Sequence, residues 1–168
     1  DEQRVRDAYQ AGLGLLDTAD MSMWLTGAVK EHKVVTVRDG VYLVPPQEAG
    51  SWLKVEKAVS MASQCNVICQ PAAPTRTLVA GALDGIRAES AKLTEDISEE
   101  VRLWTDAIVD GQLPRKKTME SRLKQANDME EKINLYEGLL GLQLTEMKKC
   151  MELLRQKVGR AIMIAEVR

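Results

Sequence analysis

The residues of this chain that could do chemistry are one histidine, three cysteines and several rows of carboxylates. His32 is the only imidazole, so any Ser-His-Asp or Cys-His arrangement must pass through it, just ahead of a predicted strand. Cys65 and Cys69 are separated by three residues. With His32 they begin the ligand set of a structural zinc, but the spacing supplies no complete tetrahedral set. Small buried side chains at a helix-to-strand junction is the better reading. Glu95, Asp96, Glu99 and Glu100 are spaced so that a helix could bring them to a divalent cation. A solvated acidic face explains them more simply. Gly12-Leu13-Gly14 is half of a dinucleotide fingerprint, without a preceding strand or a third glycine. Read together, these residues predict no catalytic, cofactor or metal site, and a chain that is not an enzyme.

One cluster has binding rather than catalytic content. Arg115, Lys116 and Lys117 stand at the expected N-terminus of a long helix. Cations there oppose the macrodipole by about 0.3–1 kcal/mol each. Asp106 and Asp110 close the preceding helix and offer one compensation; an anion or nucleic-acid contact is the other.

The elements that must position these residues are mostly helical. The segment from about Thr75 to Asp110 carries Val79, Leu83, Ile86, Leu93, Ile97, Trp104 and Ile108, in steps of three and four with Ser90 and Glu100 or Val101 in the intermediate slots. From Arg115 onward the same three-and-four spacing runs through Met119, Leu123, Ala126, Met129, Ile133, Tyr136, Leu140, Leu144, Met147, Met151, Leu154 and Val158. Such a stripe is a helix seam that needs a partner helix. Thr75 is the expected N-cap and Gly111 the left-handed C′ residue, with Pro114 at the next first turn. So short a link predicts an antiparallel hairpin. Charge agrees: residues 84–110 hold eight acids and three bases, a net of −5, and residues 115–168 hold twelve bases and eight acids, +4. The helix surplus beyond Cys150, including Ala161–Val167, must pack elsewhere, on the N-terminal part or on a second copy. Gly138 and Gly141 lie in the most apolar part of this helix, which suggests close backbone approach, with a kink or functional hinge as the alternative.

Ahead of the hairpin the period changes. Val5, Tyr9, Leu13 and Leu16 predict a first helix, and Asp20 is placed to cap a second one with Met23, Trp24 and Val29 on its apolar side. Residues 33–45 read as a β-hairpin turning at Asp39-Gly40 and ended by Pro45 and Pro46, with cover expected on both faces of its second strand. A helix over 51–63 carries Trp52, Val55, Val59 and Ala62, and a third strand is expected at 66–70. The predicted domains are therefore 1–73, a small α+β unit of β-β-α-β order with N-terminal helices, and 74–168, a long antiparallel helical hairpin or coiled coil. The fold class is α+β, mostly helical.

Composition sets the setting. A net charge of −2 over 168 residues argues against general affinity for nucleic acid or anionic membrane. No apolar run reaches the roughly 18 residues of a membrane span. Three cysteines without a framework spacing predict a reducing compartment, the cytoplasm. The first residue, Asp1, suggests a trimmed or processed piece of a longer chain.

The run Asp39-Gly-Val-Tyr-Leu-Val-Pro45, a following amphipathic helix, a short strand, and acidic helices with Tyr136-Glu-Gly-Leu-Leu140 together resemble uncharacterised proteins of phages and bacteria. Those share a GVYFVP-like hairpin ahead of a coiled-coil segment. Leu43 stands where that pattern has Phe. The resemblance spans residues 33–145, implies no activity, and points to a phage or accessory-genome origin.

The leading expectation is a non-enzymatic protein–protein interaction or assembly module. Its partner, another protein or a second copy, would meet Tyr136, Leu140, Leu144, Met147, Met151 and Ile162. Met-rich surfaces adapt to several partner shapes. One alternative is a nucleic-acid-associated accessory protein using the basic second helix and Arg115, Lys116 and Lys117; another is the helical stalk of a larger enzyme.

Overall fold

In the computed structural model, which describes residues 16–110, 112 and 114–167, the Asp17 carboxylate accepts the Asp20 N–H at 2.8 Å and starts helix α1, Thr18–Glu31. The cap is therefore Asp17. Asp20 falls in the first turn, where its charge complements the helix dipole. The apolar side differs from the expected one: Met21 and Ala28 are buried, whereas Met23 and Trp24 are exposed. The stretch with Val5, Tyr9 and Leu13, the Gly12-Leu13-Gly14 motif, and Gly111 lie outside the described residues.

The chain divides into two compact units, Asp1–Pro74 and Thr75–Arg168. In the first, α1 ends at His32, and Lys33 takes φ 52°, the left-handed conformation usually left to glycine. The Val34 N–H then reaches the Val29 carbonyl at 3.0 Å, which turns the chain into strand β1 (Val35–Arg38). Strand β2 (Val41–Leu43) pairs with it antiparallel, Val35 opposite Leu43 and Thr36 opposite Tyr42. Gly40 takes the positive φ of the turn. Cover on both faces of β2 is not found: Val41 and Tyr42 are exposed. A 3₁₀ turn at Pro46–Glu48 leads into helix α2, Ala49–Ala62. Met21, Ala28 and Val34 meet Trp52, Val55 and Val59 in one apolar core.

The strand expected at 66–70 is absent. Cys65, Val67 and Cys69 turn toward the core and Asn66, Ile68 and Gln70 away, so the alternation of a strand is present. No strand among the described residues runs beside it. Side-chain burial, with the Cys65 N–H donating to Ser63 Oγ at 3.1 Å and Glu56 beside Cys69, holds this extended segment, and Pro71 ends it without a donor to offer.

The second unit begins with helix α3, Arg76–Val109, whose N-cap hydroxyl, Thr75 Oγ1, accepts the Leu78 N–H at 3.3 Å. Helix α4 runs Lys116–Leu140 and helix α5 Thr145–Val167. The single long second helix is thus two. Gly141 sits at φ 64°, and its N–H and that of Leu142 both donate to the Glu137 carbonyl. A left-handed residue ends a helix in this way because it turns the next amides back onto the last carbonyls. The Glu137 side chain completes the reversal: it accepts the Leu144 N–H at 3.1 Å and pairs with Lys148 of α5. Close packing at Gly138 and Gly141 is not found, since a Cβ at either position would meet nothing within 4 Å.

The result is a three-helix unit. Ile86 and Ile97 of α3, Met119, Met129, Ile133 and Tyr136 of α4, and Met151, Leu154, Val158 and Ala161 of α5 form its core. The helical surplus packs inside its own unit, with α5 against both α4 and α3. Arg122 with Glu100, and Lys132 with Glu89, join α4 to α3 in opposite sequence order and fix the antiparallel register. Glu130 with Arg155 and Lys116 with Glu166 do the same for α4 and α5.

Candidate interaction surface

The seam residues expected to face a partner lie largely inside the three-helix unit. Tyr136, Leu144 and Met151 are buried, and Leu140, Met147 and Ile162 are half-buried. Burial of the first three against neighbouring helices uses the apolar surface that a partner would otherwise cover.

A second apolar set, off the seam, faces solvent. On α5, Leu153 is 57 % exposed, Met163 66 % and Ile164 50 %. Leu153 and Ile164 are eleven residues apart, about three full turns, so they share one face. Leu103 and Val109 on α3 and Leu139 on α4 are exposed as well. Seam counting passes over these residues; the legible signal is the eleven-residue repeat outside the heptad stripe.

Charge on this unit is uneven. Lys116 is 2.5 Å from Glu166 and 4.0 Å from Glu120, so both acids are engaged by one cation. Arg115 and Lys117 are exposed and form no ion pair among the described residues. The cluster expected to bind an anion is therefore split, one cation serving the α4–α5 contact and two facing water. The acidic row of α3 is partly consumed too. Glu100 meets Arg122, and the Arg102 guanidinium hydrogen-bonds Glu99 at 2.7 Å and holds its carboxyl below the usual range. Among the described residues no three His, Cys, Asp or Glu side chains converge on a metal-sized site.

In the first unit the His32 ring donates from Nδ1 to the Glu48 carboxylate at 2.7 Å, and Trp52 lies edge-on at 6.1 Å. Helix α1 places His32 at its C-cap and the turn before α2 supplies Glu48. The pair ties α1 to the start of α2. Cys69, by contrast, is a poor nucleophile: burial, with Glu56 beside it, pushes its thiol up to about 11. An open groove beside the extended segment is lined by Leu53, Lys57, Ser60, Val67 and Ile68.

No described helix is long and apolar enough to cross a membrane. Residues 2–166 match the profile of a family of unknown function, DUF6744. No curated protein and no solved structure matches the chain.

Proposed function

We propose that this chain, which belongs to that family of unknown function, is a non-enzymatic interaction module that meets a protein partner through the outward face of α5. The observation that carries the reading is that α5 is apolar on two sides. Its inner side, Met151, Leu154 and Val158, is at most 2 % exposed, while Leu153, Met163 and Ile164 remain half or more exposed. A helix needs only one apolar stripe to hold a bundle together. A second marks a surface that gains by being covered. The resemblance of the 39–45 hairpin to phage and bacterial proteins, and three free cysteines, support a cytoplasmic setting in an accessory genome.

The test is capture of partners from host extract by the tagged chain and by a Leu153→Glu/Ile164→Glu variant, each with and without nuclease. A protein held by the parent chain in both arms and lost by the variant is the expected result. Equal recovery by the variant would reject the α5 face. The second reading, a nucleic-acid contact, is favoured by Arg115 and Lys117, which form no ion pair among the described residues. Recovery that disappears with nuclease and with Arg115→Glu/Lys117→Glu would transfer the conclusion to it.

A further inference from the structure

The charges around the exposed apolar residues indicate what covers them, given the interaction reading above. Ile164 is preceded by Lys157 seven residues earlier and Arg160 four residues earlier, and all three share the outward face of α5 with Leu153. Neither cation has an ion-pair partner among the described residues. The acids of α4 and α5 nearest that end, Glu120 and Glu166, are both engaged by Lys116.

Helix α3 carries the opposite arrangement at the same spacing. Leu103 is exposed, with Asp96 seven residues before it, Glu99 four before it and Asp106 three after it. Asp96 makes no direct ion pair among the described residues, and Glu99 and Asp106 share the exposed Arg102. Exposed pairs one turn apart are weak, so they exchange partners at little cost.

We propose that α3 of one copy docks, acidic face first, along the basic face of α5 in a second copy. With the two helices parallel, Leu103 meets Ile164 while Asp96 and Glu99 meet Lys157 and Arg160. The two faces are different surfaces of one chain, so the contact is heterologous. Each added copy leaves one face of each kind free, and assembly continues until a ring closes or a filament grows. The exposed anchors are aliphatic rather than aromatic, which suits helix packing and offers nucleic-acid bases nothing to stack on.

Sedimentation velocity on the full chain across concentration, at low and high salt, tests this. The expected result is association in steps of 18.7 kDa that grows with concentration and weakens as salt screens the charges. The exchanges Lys157→Glu/Arg160→Glu and Asp96→Lys/Glu99→Lys should each weaken association by about tenfold or more. An equimolar mixture should restore it, with the two variants alternating. Circular dichroism confirms folding, and the single exchanges Arg160→Glu and Glu99→Lys replace any double variant that unfolds. A chain that stays monomeric, variants that associate like the parent, or a mixture without recovery would each overturn self-docking. A monomeric chain that still captures a foreign protein overturns self-docking alone. A chain that neither self-associates nor captures anything overturns the interaction reading as well.

Discussion

The Lys132 ammonium lies 2.7 Å from the Glu89 carboxylate, with the lysine only 4 % exposed in the packed face between α4 and α3 and the glutamate partly open to water. A charge placed so deep in an apolar seam contributes register more than stability, because desolvation offsets most of the attraction. Removing the glutamate takes one carboxylate away from that ammonium.

Glu89→Gln should therefore destabilise the second unit by roughly 1–3 kcal/mol, less than for a fully buried pair because Glu89 is half-exposed. Lys132→Met, which keeps the volume and discards the charge, should change stability by less than about 1 kcal/mol. Urea unfolding midpoints compare the two. A larger loss for Lys132→Met than for Glu89→Gln would show that the lysine's other contacts dominate.

Gly138 and Gly141 are three residues apart and should respond oppositely to alanine. Gly138 is interior to α4 with open space around it, so Gly138→Ala should stabilise by about 0.5–1 kcal/mol through helix propensity. Gly141 needs φ 64°, so Gly141→Ala should destabilise by about 1–2 kcal/mol. Thermal melts of both variants decide, and a shift of the same sign in both would contradict the turn described.

Acid should weaken the reversal between α4 and α5. Lys148, and then the Leu144 N–H, hold the Glu137 carboxyl below the ordinary carboxylate range. A depressed folded value means that the contribution is present above the unfolded value and lost as pH falls through the folded one. Stability followed by denaturant titration should fall on acidification below about pH 4.5. Glu137→Gln should flatten that part of the profile; an unchanged profile would remove Glu137 as a cause.

The thiols should separate kinetically. With Cys69 pushed from 9.0 to about 11, its thiolate fraction at neutral pH falls on the order of 100-fold. Cys150 is exposed and should alkylate first, Cys69 last, by mass spectrometry of a time course. Early modification of Cys69 would mean that the extended segment opens readily.

Helix α3 was legible almost to the residue, because Thr75 caps it and its stripe keeps its period through the buried polar slot at Ser90. The mostly helical α+β class was legible for the same reason. The break between α4 and α5 was not. Tyr136, Leu140, Leu144, Met147 and Met151 keep their three-and-four spacing straight across it, and a period records neighbours along a helix without recording that the chain has reversed. The local signal was Gly141, whose left-handed conformation a stripe of apolar residues does not weigh. The segment 65–70 shows the converse: its alternation is real, but a strand also needs a partner backbone, which no local pattern supplies. For the surface, periodicity could not say whether the seam closes within one chain. Once Tyr136, Leu144 and Met151 are seen inside the unit, the exposed set on α5 becomes the surface to consider.

Placing the reversal at Gly141 also sets an order of events during synthesis. The ribosome delivers α3 first, then α4, and α5 last. Helix α5 supplies Met151, Leu154 and Val158 to a core that includes Ile86, Ile97, Ile133 and Tyr136. Until it emerges, α3 and α4 present those side chains as an open trough, the state in which nascent chains recruit chaperones or aggregate. Interrupting translation within Thr145–Val167 would thus release the protein at its stickiest stage rather than merely shorten it.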